Sequence, residues 1–284
     1  MIRFWNNTKT ALLLGALMGL FLLVGSFWGQ TGMLIALVLG AGVNFFAFFF
    51  SDKLAIAAMK GREVDAQTGG DLYRIVQELS ARAQLPMPRV YLCPHEAPNA
   101  FATGRSPRKA AVAVTQGLMQ VMNRDELSGV IAHELAHIKN RDTLISTVAA
   151  TIAGVLGYLA NMAQFGLMFG GGNREGGAGG ALFALFGAMI AALGAVLIQA
   201  MISRSREFVA DADGARIAGS PNGLASALHK LEHFSKRIPL HQPNPAQNNL
   251  FIIEPFLGRG FGGLGRLFAT HPPTEARIRA LMGG

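Results

Sequence analysis

A run of 42 residues, from Thr10 to Ser51, contains no Asp, Glu, Lys or Arg. About 20 apolar residues cross a hydrocarbon layer of about 30 Å as a helix, so a run of twice that length reads as two spans. Its midpoint, Gly29-Gln30-Thr31-Gly32, has the small and polar residues of a tight turn, which sets the expected spans at about 11–28 and 33–50. Arg3 and Lys9 ahead of the apolar run imitate the start of a secretory signal. No small-x-small cleavage site follows and a second span comes next, so the segment is read as an uncleaved anchor. Two further charge-free stretches, 143–173 and 176–203, are each long enough to span, and the Gly-rich hairpin between them is too small to be a domain. The expected organisation is two transmembrane helices in 1–50, half of a soluble domain in 51–143, two more transmembrane helices in 144–203, and the other half of the soluble domain in 204–284.

Charge gives this scheme an orientation. Charged residues are 15% of the chain against about 25% in soluble domains, and hydrophobic residues are 51%, which excludes disorder. Cys93 is the only cysteine and cannot form an internal disulfide. In a four-span topology Arg3, Lys9, Lys53, Lys60, Arg62, Lys139, Arg141, Arg204, Arg206 and Arg216 fall on one side, and Arg174 alone on the other. Basic flanks stay in the cytoplasm, so both termini and both soluble segments are expected there, in contact with the bilayer. The net charge of +8 therefore reports orientation. Nucleic acid is excluded as a partner because bases and acids are interleaved in 51–143, 12 against 10, with no basic stripe among aromatics.

In the first soluble segment, Leu72, Ile75, Val76 and Leu79 have helical spacing, and Pro86 and Pro88 end that helix. Residues 89–93, 100–103 and 111–115 are short β-prone stretches between Pro and Gly turns, which predicts a small sheet. Asn123 with Glu126 three residues on predicts a capped helix from Arg124 to about Asn140. Residues 239–265, rich in Pro, Asn and Gly, read as a long loop. The expected class is an α+β membrane protein, mostly helical with a small β-sheet.

The capped helix carries His133-Glu134-Leu135-Ala136-His137. Histidines four apart stack on one helix face and can reach one metal ion, and a glutamate next to the first sits beside that ion, where it can take a proton from water. Zinc lowers the pKa of such a water from 15.7 towards about 7. A catalytic zinc takes three protein ligands and keeps one open position. Asp142, Glu207, Asp211, Asp213, His229, His233, His241 and His271 are candidates for the third. His137 lies six residues before the third expected span and Glu207 four residues after the fourth, so antiparallel neighbouring helices would bring them to similar depth. Glu207 is the best placed, and Asp211, one turn further, can accept the second N–H of a ligating histidine.

The segments His133–Asp142, Ser203–Asp211 and Thr270–Arg277, with Asn99-Ala100-Phe101-Ala102-Thr103-Gly104, resemble the HtpX family of bacterial inner-membrane zinc proteases of the heat-shock response, relatives of the CAAX prenyl-protein endopeptidases. The resemblance covers essentially the whole chain. It implies a gluzincin-type zinc endopeptidase with one Zn²⁺ per chain held by His133, His137 and Glu207, Glu134 as catalytic base, and His271 and Arg277 stabilising an oxyanion. It implies further that Asn99, Ala100, Phe101, Ala102 and Thr103 form a cleft-edge strand that pairs with an extended substrate. Damaged, unfolded or misassembled membrane proteins are the expected substrates. The competing classes are an intramembrane protease, disfavoured because Asp125, Glu126, Lys139, Arg141 and Asp142 surround the motif with charge, a CAAX-processing enzyme, and a four-span adaptor whose histidines are incidental. His229 and His233 lack a neighbouring carboxylate base, Cys93 reads as a small buried hydrophobe, and the Phe45–Phe50 cluster suits lipid or span packing.

Overall fold

The computed structural model describes residues 2–27, 29–149, 151–152, 204–235 and 272–283. Two long helices open the chain, α1 (Ile2–Ser26) and α2 (Gly29–Ala58). They lie antiparallel and close, with Gly25 against Gly32 and Ala36, and Gly40 against Met18 and Phe21. Asn44 Nδ2 donates to the Leu14 carbonyl across the pair at 3.0 Å. The break between the helices falls earlier than the 29–32 turn expected from composition: Gly29 alone has a positive φ, +67°, a conformation that costs glycine little, and Gln30, Thr31 and Gly32 are already helical.

Helix α2 also continues eight residues beyond the expected end at Phe50. Nothing in Ser51-Asp52-Lys53-Leu54-Ala55-Ile56-Ala57-Ala58 breaks a helix, and the extension is held because Ala55, Ile56 and the following Met59 bury themselves on the sheet. By length and composition α2 can cross a bilayer, while the apolar run of α1, Thr8–Leu23, is shorter. Of the third and fourth expected spans, only 143–149 and 151–152 lie within the described residues; these are helical and set Val148, Ala149 and Ile152 against Leu13 and Leu17 of α1 and Ala47 of α2.

The sheet has four strands in the order β1 (Arg62–Val64), β2 (Arg89–Cys93), β4 (Ala111–Thr115), β3 (Ala100–Thr103). β1 and β3 run antiparallel to their neighbours, and β2 and β4 are parallel with Val90 opposite Val112. Alternation divides the side chains cleanly. Val90, Val112, Val114, Ala100 and Ala102 face the helical core, while Tyr91, Cys93, Ala111, Ala113 and Phe101 face the end of α2. Both faces are covered, which is why β4 reads Ala-Val-Ala-Val with no polar alternation until Thr115.

The remaining helices are α3 (Gly70–Arg82), α4 (Gln116–Val121), α5 (Arg124–Asn140), α6 (Arg204–Ala218), α7 (Asn222–Ser235) and α8 (Thr274–Met282). α5 is the hub, with α3, α6, α7 and β3 packed around it, and α8 rests on α6 and α7. The mostly helical class with a small mixed sheet is the one expected; β1 and α4 are additions to it.

Candidate metal centre and active site

Helix α5 is fixed at both ends before its central residues do anything. At its start the Asn123 side chain accepts from Glu126 N and the Glu126 carboxylate accepts from Asn123 N, each at 2.9 Å, a reciprocal cap. The same carboxylate accepts from Ser226 Oγ at 2.6 Å and Lys230 Nζ at 2.7 Å, which ties α7 to the cap. At its end Arg141 adopts a left-handed conformation, φ 58°, and the chain turns back so that Asp142 N donates to the His137 carbonyl at 2.9 Å.

Between these ends the two histidines of the motif stack edge-on, ring centroids 4.6 Å apart. Their Nε2 atoms are 3.1 Å apart, and the Glu207 carboxylate of α6 brings Oε2 to 3.7 Å from His133 Nε2 and Oε1 to 3.5 Å from His137 Nε2. A tetrahedral ion bound at 2.0–2.1 Å has ligand atoms about 3.3–3.4 Å apart, so these three groups already have the spacing of metal ligands. Among the described residues they are the one cluster of three such side chains, and none of the other third-ligand candidates that the structure describes joins it. The charges agree with a cation at this point. Burial lowers the pKa of His137, yet the Asp142 hydrogen bond and the carboxylates of Glu207 and Glu134 outweigh it and raise it to about 9, the response of a site that attracts positive charge.

Each histidine has a carboxylate behind it. Nδ1 of His133 lies 2.9 Å from Asp211 Oδ1, close but out of line with the ring N–H, and Nδ1 of His137 is hydrogen-bonded to Asp142 Oδ2 at 3.3 Å. Asp211 is gripped in turn by Arg277 of α8, with Nε on Oδ2 at 2.8 Å and Nη2 on Oδ1 at 2.7 Å, and Nη1 of the same arginine is 3.6 Å from Glu207 Oε2. Burial pushes the Asp211 carboxyl up, but the bonds from Arg277 and the nearness of the His133 ring prevail and hold it down at about 2. Arg277 is 1% exposed and sits on the inner side of the ligands. The family resemblance implies an oxyanion role for it; in the structure its two-pronged contact is with Asp211. His271 lies outside the described residues.

Glu134 is 5% exposed, and its Oε2 accepts from the backbone N–H of Ala102 at 2.7 Å. Burial raises its pKa, opposed by His133 and His137 and assisted by Glu207. Ala102 belongs to β3, which is the last strand of the sheet, so the edge strand Ala100–Thr103 runs directly beside the motif glutamate. The strand is pinned beyond its end by Thr143 Oγ1 on the Gly104 carbonyl at 2.8 Å and by a 3.0 Å contact between the Thr103 and Thr147 hydroxyls. Asn99 precedes the strand, and its N–H donates to Thr115 Oγ1 at 2.8 Å.

Two features escaped the sequence reading. Arg206, counted in the sequence only among the basic flanks, brings its Nη1 to Asp142 Oδ1 at 2.6 Å on another element. Gly214 passes so close to α5 that an added Cβ would come within 2.9 Å of His133 N and Cα. A glycine in the helix of the expected third ligand was the visible signal for that contact.

A sheet-flanked helix that presents two histidines and a glutamate, joined by a carboxylate from a second helix, is the arrangement of a metallopeptidase. The sequence profile of peptidase family M48 matches residues 66–283, and the chain belongs to that family. A Protease HtpX homolog from Desulfatibacillum aliphaticivorans is 50% identical over 281 residues, covering 98% of this chain and 89% of that one. Another from Nostoc punctiforme is 50% identical over 281 residues, covering 98% and 96%. Among solved structures, a crystal structure of Ste24p from S. mikatae matches with a TM-score of 0.52 at 17% identity, over 99% of this chain and 67% of that one, which shows a shared fold.

Proposed function

We propose that the chain is a membrane-bound zinc endopeptidase that cleaves misfolded or damaged membrane proteins at the cytoplasmic face of a bacterial inner membrane. The observation that carries this reading is the convergence of His133, His137 and Glu207 at ligand spacing with Glu134 held beside them. In this reading His133, His137 and Glu207 hold one Zn²⁺, which when bound supplies the Lewis acidity that polarises a scissile carbonyl and acidifies water. Ala102 N–H fixes Oε2 of Glu134 and leaves Oε1 to take the proton of the attacking water and return it to the departing amine. Asp211 and Arg277 keep the ligands in position, and the oxyanion contact falls to His271 with Arg277. β3 presents Ala100–Thr103 as the strand to which an extended substrate adds its own backbone. Membrane attachment rests on α2 and on the charge-free runs of the sequence, with four spans and cytoplasmic termini as the topology.

In purified full-length protein, Glu134→Gln is expected to keep about one zinc per chain and to lose cleavage of an unfolded test protein, since general acid–base groups contribute roughly 10²–10⁴ in rate. Glu207→Ala is expected to lose zinc and cleavage together. Parent protein that purifies without zinc and binds none when it is added would overturn the reading, as would full activity of Glu134→Gln. A reporter fused at Arg174 is expected outside the cytoplasm; cytoplasmic labelling there would remove the four-span topology.

A further inference from the structure

Asp142 is 4% exposed, it is not among the three groups at ligand spacing, and it touches two elements besides its own. One oxygen, Oδ2, meets His137 Nδ1; the other, Oδ1, takes the 2.6 Å bond from Arg206 on α6. The left-handed turn at Arg141 is what folds Asp142 back over the last turn of α5. Arg206 immediately precedes Glu207, so a bond that anchors Arg206 also fixes where α6 delivers its carboxylate. The arrangement parallels the other half of the site, where Asp211 stands behind His133 and is held by Arg277.

From this geometry we infer that Asp142 and Arg206 form a positioning pair, in which Asp142 sets the ring orientation of His137 and Arg206 draws Glu207 to it. The pair acts on metal retention and not on the reacting atoms. A carboxylate that accepts from Nδ1–H leaves the Nε2 lone pair facing the ion and makes the imidazole a better donor, and loss of such partners in metal sites costs roughly 10–100-fold in affinity. The inference rests on the proposed zinc site, and the experiment separates the two.

The test uses full-length protein in detergent in the Glu134→Gln background, with the zinc dissociation constant read by competition with a chromophoric chelator and the ligand field read from the visible spectrum of the cobalt-substituted protein. Asp142→Ala is expected to weaken zinc binding about 10–100-fold and to alter the cobalt spectrum. Arg206→Ala is expected to weaken binding to a lesser degree, with Arg206→Lys recovering most of the loss. The exchange Asp142→Arg with Arg206→Asp restores an ion pair between the elements but sets a cation against His137, so affinity is expected to stay low. Should Asp142→Ala fail to fold, Asp142→Asn and the two Arg206 variants carry the test. Affinity within twofold of the parent in Asp142→Ala, or in both Asp142→Asn and Arg206→Ala, would overturn the inference, as would recovery in the exchanged pair. A parent that binds no zinc would overturn the site and the inference together.

Discussion

At the scale of single residues, the buried carboxylates Glu126, Asp142 and Asp211 around α5 are each met by a cation. An isolated buried carboxylate or guanidinium is costly, and here Asp211 meets Arg277, Asp142 meets Arg206, and Glu126 meets Lys230. Cys93 shows the opposite case, a titratable group buried with nothing to stabilise its charge. It is fully buried on the sheet face that meets α2, and burial alone pushes its thiol up to about 11. The thiolate is the reactive form, and a raised pKa means that it appears only as the pH climbs towards that value. At pH 7.5 the folded protein is therefore expected to resist a maleimide or a disulfide reagent, and to take up one equivalent after denaturation. Rapid labelling of the native protein would show that the contact between α2 and the sheet opens.

At the scale of elements, the site depends on how close α6 approaches α5. Gly214 lies two turns beyond Glu207 and faces the backbone at His133, so there is room for hydrogen and none for a methyl group. Gly129 and Gly223 make a similar close approach between α5 and the start of α7. Gly214→Ala improves helix propensity by about 1 kcal/mol in isolation, yet the added carbon must push two backbones apart. Zinc affinity, measured by chelator competition, is expected to fall at least tenfold while far-UV circular dichroism stays helical; unchanged affinity would show that α6 can shift without moving Glu207. The sequence made α5 plain, because the cap, the motif and the closing turn all sit within one helix. It made β2, β3 and β4 plain by β-branched and small residues between turn signals. β1 was hidden because Arg62-Glu63-Val64 is short, largely exposed, and earns its place only by pairing with β2. Arg206 was hidden for a related reason: its partner is 64 residues away, and only the packed helices bring Asp142 within reach.

At the scale of the whole molecule, the apolar run that ends near residue 50 and the sheet beyond it are joined by one unbroken helix. Composition changes there, since charges begin at Asp52, but α2 crosses it unbroken and delivers Ala55, Ile56 and Met59 onto the sheet. A charge scan could find the end of the apolar run and could not find the end of the helix, because the residues after it are apolar on one side only. The mechanical consequence is direct. Phe101 of β3 packs in the same cluster as Ile56, and its neighbour Ala102 holds Glu134, so the apolar helix, the edge strand and Glu134 form one continuous chain of contacts. Ile56→Asp places an unpaired charge against Tyr91, Phe101 and Ala113, at an expected cost of about 3–5 kcal/mol. Ala57→Asp, on the exposed side of the same turn, is the matched control. In the Glu134→Gln background, the thermal midpoint of the detergent-solubilised protein is expected to fall by several degrees for Ile56→Asp and to hold for Ala57→Asp. In the active protein, peptidase rate is expected to fall with Ile56→Asp even at temperatures where the chain stays folded, because β3 loses its support. Equal rates in the two variants would mean that α2 anchors the domain without shaping its active site.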